Sequence, residues 1–186
     1  MKKKILSIGV ILTTLFFIAC GGGEANNSDS SESGSESTSE SSTPKDVDLS
    51  EHGIPLTLTV PAGSEVSQGM LNGEIEGIKM YNVDIKKDKF YLSVLMTDVE
   101  EEGQTLQAAV ASEKEDVEIF NEGVEFISED ANGFIYKYDE DGDANYGFSY
   151  IAEKEGNFIL IEAGLSFSTY SKEQIQEMYN AAKTAK

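Results

Sequence analysis

The chain has 186 residues, of which 34 are acidic and 14 are lysines, and its formal charge is −20. Five acids and three lysines precede residue 45, so residues 45–186 have 29 acids and 11 lysines and a formal charge of −18. Nucleic acid and anionic lipid surfaces repel so acidic a chain, and it lacks arginine, the residue that best grips phosphate. We therefore expect no nucleic-acid partner and no nucleotide or sugar-phosphate chemistry.

The first twenty residues have the order of an export signal. Lysines at positions 2 to 4 precede an apolar run from Ile5 to Ala19, and Cys20 follows. The run is shorter than the roughly 20 residues that a membrane-spanning helix needs. We therefore predict a signal peptide over residues 1–19.

The stretch FFIAC, residues 16–20, resembles the lipobox of bacterial lipoproteins, with Phe17 where leucine is usual. The resemblance implies cleavage after Ala19 and lipidation of Cys20. As the only cysteine, Cys20 cannot close an intramolecular disulfide. Two or more acyl chains anchor a protein stably. Gly21 follows the cysteine where aspartate could stand, and by resemblance to diderm lipoproteins this implies the outer membrane or the cell surface.

Residues 21–44 consist almost wholly of Gly, Ser, Thr, Asn and acids, with no aromatic residue. Such a composition buries too little apolar surface to offset the entropy lost on ordering. We therefore predict that residues 20–44 form a lipidated cysteine and a disordered tether, with an end-to-end distance of roughly 27 Å.

Residues 45–186 have the commonest size of a single domain. Leu56, Leu58 and Val60 alternate with threonines and predict a strand that Pro61 ends. The stretches GIKMYNVDI and KFYLSVLMTDV predict two strands around a turn at residues 86–89. The second is apolar on both faces, which is typical of a central strand covered on both sides.

Further along, Thr105 is placed to cap a helix that begins LQAAVASEKE, and GVEFIS and NFILIEAGL predict strands. In the final helix Ser171 and Gln174 predict a capping box. Its apolar stripe comprises Ile175, Met178, Tyr179 and Ala182. Strands, helix, strands and helix in that order predict an α+β domain, with a largely antiparallel sheet flanked by helices.

This order, together with LTLTVPAG near the start, long central hairpins and a closing helix, resembles the PsbP/Mog1-type sandwich over roughly Asp46 to the C-terminus. The resemblance implies an antiparallel sheet between helices. It also implies an interaction domain, by analogy of fold alone.

Catalytic motifs are scarce in this sequence. His52 is the only histidine, no Gly-x-Ser-x-Gly motif occurs, and lipidation would occupy Cys20. Zinc sites of the His and Cys kind are excluded by the same counts. A hydrolytic carboxylate pair stays open as an alternative, because the spacing that matters is three-dimensional.

The stretch from Gly133 to Ile151 predicts a hairpin with aromatic residues at every second position. They are Phe134, Tyr136 and Tyr138 on one strand and Tyr146, Phe148 and Tyr150 on the other. A register symmetric about Gly142 would pair them on one face. We expect that face to pack beneath a helix, and the alternative is an exposed platform that binds a glycan or a partner peptide.

The tip of this hairpin carries Asp139, Asp141 and Asp143, which match the first ligands of a calcium loop. Ala144 stands where that loop needs glycine, and Tyr150 stands where it needs a bidentate glutamate. We interpret the tip as a solvated turn, with weak calcium binding as the alternative, and expect no other cofactor.

The sequence thus predicts a lipid-anchored envelope protein that binds, without catalysis, an unidentified protein or glycan of the envelope or the extracellular space. The alternatives are an envelope hydrolase with a carboxylate pair and a purely structural surface lipoprotein.

Overall fold

The structure is a computed structural model that describes residues 43–99, 103–140, 142–164 and 169–186. Residues Ser41–Lys186 form one compact unit. Among the described residues, no helix is long and apolar enough to cross a membrane. The described part is a sheet-rich α+β domain with mostly antiparallel strands, as the sequence predicts.

The described residues form ten strands and two α-helices. Their bounds are β1 Lys45–Asp48, β2 Thr57–Val60, β3 Glu65–Gln68, β4 Gly73–Ile75, β5 Ile78–Lys87, β6 Phe90–Thr97, α1 Leu106–Phe120, β7 Glu122–Glu129, β8 Gly133–Glu140, β9 Asp143–Lys154, β10 Asn157–Ala163 and α2 Lys172–Ala182.

One large antiparallel sheet has the strand order β3-β5-β6-β10-β9-β8-β7, and β4 also pairs with β5. β1 and β2 form a separate two-stranded sheet. β6 and β10 lie at the centre of the large sheet. Long and largely apolar strands occupy these central positions, as is typical of the middle of a sheet.

The main core lies on one face of the large sheet, which we call the α2 face. β2 and α2 cover this face, and successive strand residues point alternately toward it and away from it. The buried residues that share this core include Leu58, Val83, Ile85, Leu92, Val94, Phe148, Ile159, Ile161, Ile175 and Met178. The predicted apolar stripe of the last helix is confirmed, since all four of its residues are buried.

The opposite face of the sheet, the α1 face, carries α1, which packs against β7 and β9. Ala109 and Val117 are the buried residues of α1. On β6 the residues of the α2 face are buried, whereas their α1-face neighbours keep partial exposure. The prediction that this strand is covered on both sides therefore holds fully for the α2 face only.

Two predicted helix starts are confirmed. The Thr105 hydroxyl accepts a hydrogen bond from the Ala108 amide at 3.2 Å. At α2 the Ser171 hydroxyl accepts from the Gln174 amide at 3.3 Å, and the Ser171 amide donates to Gln174 Oε1 at 2.8 Å. Both caps satisfy amides that have no partner within their helix.

The predicted register of the β8–β9 hairpin is wrong by one residue. Tyr136 pairs with Gly147 rather than with Phe148, and Glu140 pairs with Asp143 across a two-residue turn. The Asp141-Gly142 sequence favours such a tight turn, and Gly142 has a φ of +89° that suits glycine. Because side chains alternate along a strand, the shift places the aromatic residues of β8 and β9 on opposite faces of the sheet.

Candidate functional site

The α1 face carries a row of mostly polar residues across the middle of the sheet. Cross-strand pairing aligns Asp84 on β5, Ser93 on β6, Glu162 on β10, Ser149 on β9 and Phe134 on β8. The centre of a sheet is where apolar side chains usually lie. A charged residue there requires a separate explanation.

The next row along the same face has two glycines between two tyrosines. Gly164 follows Glu162 by two residues and donates its amide to the Tyr91 carbonyl at 2.8 Å, and Gly147 pairs with Tyr136. A Cβ at Gly147 would lie 2.5 Å from Tyr136 Cζ, and one at Gly164 would lie 2.1 Å from Tyr91 Cε2. Only glycine lets each ring lie flat against its neighbouring strand.

Glu162 occupies the centre of this arrangement. Protein atoms crowd it, but its side chain keeps partial contact with solvent. Burial first, and then the negative charge of Glu113, raise the pKa of Glu162 to about 8. A carboxyl group with this pKa is mostly protonated at neutral pH. It makes no hydrogen bond or ion pair with any other residue that the structure describes.

Glu113 approaches the same place from α1. It lies four residues from Ala109 and from Val117, on the stripe of the helix that faces the sheet. Ser149 donates its hydroxyl to Glu113 Oε1 at 3.0 Å. Burial raises the pKa of Glu113, while the hydrogen bond from Ser149 works against that rise.

Tyr136 completes the group that we call the glutamate cluster, which comprises Glu113, Tyr136, Ser149 and Glu162. Burial first, then the charge of Glu162, raise the pKa of the Tyr136 hydroxyl above its usual value. Within the described ranges this hydroxyl has no hydrogen-bond partner. The cluster thus presents two carboxyl groups and one phenol, and no basic group among the described residues balances them.

A second group on the same face, the lysine cluster, comprises Asp84, Lys86 and Tyr91. The Lys86 ammonium lies 3.0 Å from Asp84 Oδ2 and 4.0 Å from the centre of the Tyr91 ring. Tyr91 donates its hydroxyl to Asp84 Oδ2 at 2.8 Å. Here a carboxylate and an aromatic ring hold an ammonium group that the chain itself supplies.

The six aromatic residues predicted to share one face are divided between two faces. Phe134, Tyr136 and Tyr138 lie on the α1 face, and Phe134 meets the Phe126 ring edge-on at 5.2 Å. Tyr150 and Phe148 lie on the α2 face, where both contact the Tyr179 ring. A single face of six rings is therefore wrong, both as a face packed beneath one helix and as an exposed platform.

The hairpin tip is described only in part. Asp139 pairs with Ala144 and Asp143 with Glu140, while Asp141 lies outside the described residues. Glu140 accepts a hydrogen bond from the Asn145 amide group at 2.8 Å. No group of three or more metal-ligating side chains occurs within the described ranges. Cys20, the predicted lipidation site, also lies outside those ranges.

Sequence reasoning missed the glutamate cluster. One signal was present, because Glu162 is the only acid in the otherwise apolar stretch NFILIEAGL. A second was the spacing of Glu113 from Ala109 and Val110, which places an acid on the apolar stripe of α1. The pairing of these two acids depends on the β9–β10 register and on where α1 lies.

A shallow depression of about 350 Å³ lies elsewhere, between the β5–β6 turn and the start of α2. Its lining includes Lys87, Lys89, Asp88 and Glu177, so charges of both signs face it. Lys87 is already engaged, because its ammonium donates to the Ala62 carbonyl. Charged groups of this depression thus have partners of opposite sign nearby, unlike the carboxyl groups of the glutamate cluster.

Comparison of the chain with protein-family models, with curated proteins and with solved structures found no match.

Proposed function

We propose that this protein is a lipid-anchored bacterial envelope protein that binds a ligand without catalysis, and that the glutamate cluster is part of its recognition surface. The anchor is the lipidated Cys20 implied by the resemblance of FFIAC to a lipobox. The resemblance to the PsbP/Mog1-type sandwich supports an interaction domain by analogy of fold. The ligand is a component of the envelope or of the extracellular space.

One observation carries the proposal of a binding site, namely the state of Glu162. A crowded carboxyl group without a hydrogen-bond partner destabilises a fold, and an apolar residue at this position of β10 would be more stable. Residues that destabilise a fold concentrate at functional sites, where a ligand supplies the missing contacts. Partial contact with solvent leaves Glu162 open to such a ligand.

A second candidate function is hydrolysis by a carboxylate pair, and the raised pKa of Glu162 favours it. A protonated glutamate beside a second carboxyl group is the state of a general acid in glycoside hydrolysis. Glu113, whose negative charge contributes to that rise, would be the ionised partner in such a pair. A hydrolase also needs a cleft that holds its substrate against both carboxyl groups, and neither glutamate lines the depression beside the β5–β6 turn. We therefore retain binding as the leading proposal.

The test uses the full chain, labelled with nitrogen-15, in detergent micelles. We would add chromatographic fractions of an envelope extract and follow the amide resonances of Gly147 and Gly164 by NMR. A binding function predicts that one fraction shifts both resonances, and that Glu162→Gln weakens this shift while the exposed Glu177→Gln does not. Shifts confined to residues outside the α1 face, or their complete absence, would contradict the proposed site. Chain cleavage of a glycan by the wild type, lost in Glu113→Gln and Glu162→Gln, would favour the hydrolase.

A further inference from the structure

We infer that the glutamate cluster binds an alkylammonium group, which its carboxylates and the Tyr136 ring would hold together. This inference rests on the proposed binding function and names the chemical class of the ligand. It draws on two observations. The lysine cluster on the same face holds an ammonium group, and no described lysine contacts the carboxyl groups of the glutamate cluster.

The lysine cluster shows the arrangement with its cation in place. Lys86 lies 4.0 Å from the Tyr91 ring centre and 3.0 Å from Asp84. Tyr91 packs over Gly164 in the same manner as Tyr136 packs over Gly147, and both rings lie in the same row of the sheet. The two clusters thus share a ring over a glycine and a carboxyl group in the adjacent row.

Among the described residues, the glutamate cluster contains a ring and carboxyl groups but no lysine in the position that Lys86 has in the lysine cluster. Its carboxyl groups come from α1 and from β10. Ser149 of β9, which pairs with Glu162 and donates its hydroxyl to Glu113, is neutral. Lys114, the lysine of α1, pairs with Glu129 at 2.7 Å, and its ammonium lies 4.4 and 5.9 Å from the Phe126 and Phe134 ring centres. A cation from outside the chain would therefore meet two carboxyl groups and a ring that no described lysine neutralises.

The charge of the whole domain acts in the same direction. Residues 45–186 carry a formal charge of −18, which attracts cations over a distance of about one Debye length, roughly 8 Å at physiological ionic strength. An ammonium group fits the site better than a divalent metal does, since no group of three metal-ligating side chains exists among the described residues. An alkyl chain behind the ammonium group could lie along the half-exposed apolar side chains of the α1 face.

Ammonium binding should be coupled to the loss of a proton from Glu162. Burial raises the pKa of Glu162 to about 8, so at pH 7 the carboxyl group must lose its proton to pair with a cation. The titratable groups near Glu162 are Glu113 of α1 and Tyr136 of β8, and the Asp84–Lys86 ion pair lies two strands away. Binding at pH 7 should release a proton, and the affinity should rise between pH 6 and pH 9.

The experiment is calorimetry of the full chain in detergent with two amines and one uncharged control. Nα-acetyl-lysine amide represents a lysine side chain of a protein, and 1,4-diaminobutane represents a free amine. Nα-acetyl-norleucine amide has a similar alkyl chain without the charge. We expect an amine to bind at least about tenfold more tightly than the norleucine compound. The tighter amine identifies the source of the ammonium group.

Variants connect the binding to the cluster. Glu162→Gln should weaken amine binding about tenfold and abolish the proton release, which is measured as the dependence of the binding heat on the buffer. Glu113→Gln should also weaken binding and provides a second reading if the first variant folds poorly. Glu177→Gln removes an exposed acid of α2, on the other side of the sheet. It should change neither the affinity for the amine nor the number of protons released.

Two results would overturn the inference. One is equal binding of the lysine and norleucine compounds, and the other is no binding of either amine at pH 9. If an envelope fraction still shifts the Gly147 and Gly164 resonances in either case, the proposed binding function stands and only the ammonium ligand is wrong. If neither the amines nor the fractions bind, both proposals fail.

Discussion

The Tyr136 ring lies directly over Gly147 on the neighbouring strand, so that a Cβ at Gly147 would come within 2.5 Å of both Cζ and Oη. Tyr136 cannot swing aside freely, because its ring packs between those of Phe134 and Tyr138 at centroid distances of 5.9 and 5.8 Å. This contact fixes one side of the glutamate cluster.

Gly147→Ala should therefore destabilise the domain by about 1–3 kcal/mol, the usual cost of overpacking. Urea denaturation measures the change in the free energy of unfolding. In the double variant with Tyr136→Ala the added methyl group no longer meets the ring, so the two effects should not add. Additive effects would show that Tyr136 does not rest on Gly147.

Glu162 should make the stability of the protein depend on pH. Its pKa is about 8 in the folded chain and about 4.3 in an unfolded chain. Between those values the folded state binds one more proton than the unfolded state, so the free energy of unfolding falls as the pH rises. The slope is at most about 1.4 kcal/mol per pH unit, and the partial solvent contact of Glu162 reduces it.

The measurement is urea denaturation at pH 5, 6.5 and 8 of the wild type and Glu162→Gln. The variant cannot ionise at this position and should lose less stability over the range. Part of the slope should remain, because the pKa values of Glu113 and Asp116 are also raised. The lowered pKa values of Asp130 and Glu173 act below about pH 4, outside the range. Parallel curves for wild type and variant would show that Glu162 ionises normally.

The Ser171 cap should contribute measurably to the stability of α2. Ser171→Ala removes the acceptor of the Gln174 amide and should lower the free energy of unfolding by about 1 kcal/mol. Ser171→Asp retains an acceptor and should stay close to the wild type. If both variants lose the same stability, the hydroxyl group does not act through the cap.

Lipidation of Cys20 stays a prediction from the sequence. Metabolic labelling with an acyl probe should mark the wild-type chain, whereas Cys20→Ala should carry no label and should accumulate as the uncleaved precursor. Mass spectrometry of the labelled chain should place its first residue at Cys20. Equal labelling of the two chains would contradict the lipobox.

The features that could be predicted from sequence are those set by neighbouring residues. The Ser171–Gln174 capping box needs only a spacing of three, and the buried stripe of α2 needs only the helical period. The β8–β9 register depends on the number of residues in the turn. A register symmetric about Gly142 implies a three-residue turn, whereas the observed pairing of Glu140 with Asp143 leaves two residues between the strands. This difference of one residue places the aromatic residues of the two strands on opposite faces.

The glutamate cluster could not be assembled in this way. Glu113 and Glu162 are far apart in the chain, and they come together because β10 pairs with β9 and α1 packs above β9. In the sequence, Glu113 and Glu162 each interrupt an apolar pattern. Only the tertiary structure shows that the two side chains lie close together.

Lys186 exchanges two backbone hydrogen bonds with Thr57 of β2, at 3.0 and 3.2 Å. β2 packs in the core of the α2 face, so this residue lies on the opposite side of the large sheet from the glutamate cluster. A biotin acceptor peptide fused after Lys186 would therefore attach the protein to a sensor chip with its α1 face toward the solution. Coupling through lysine amines would instead modify Lys86 and Lys114, beside the surface whose binding is to be measured.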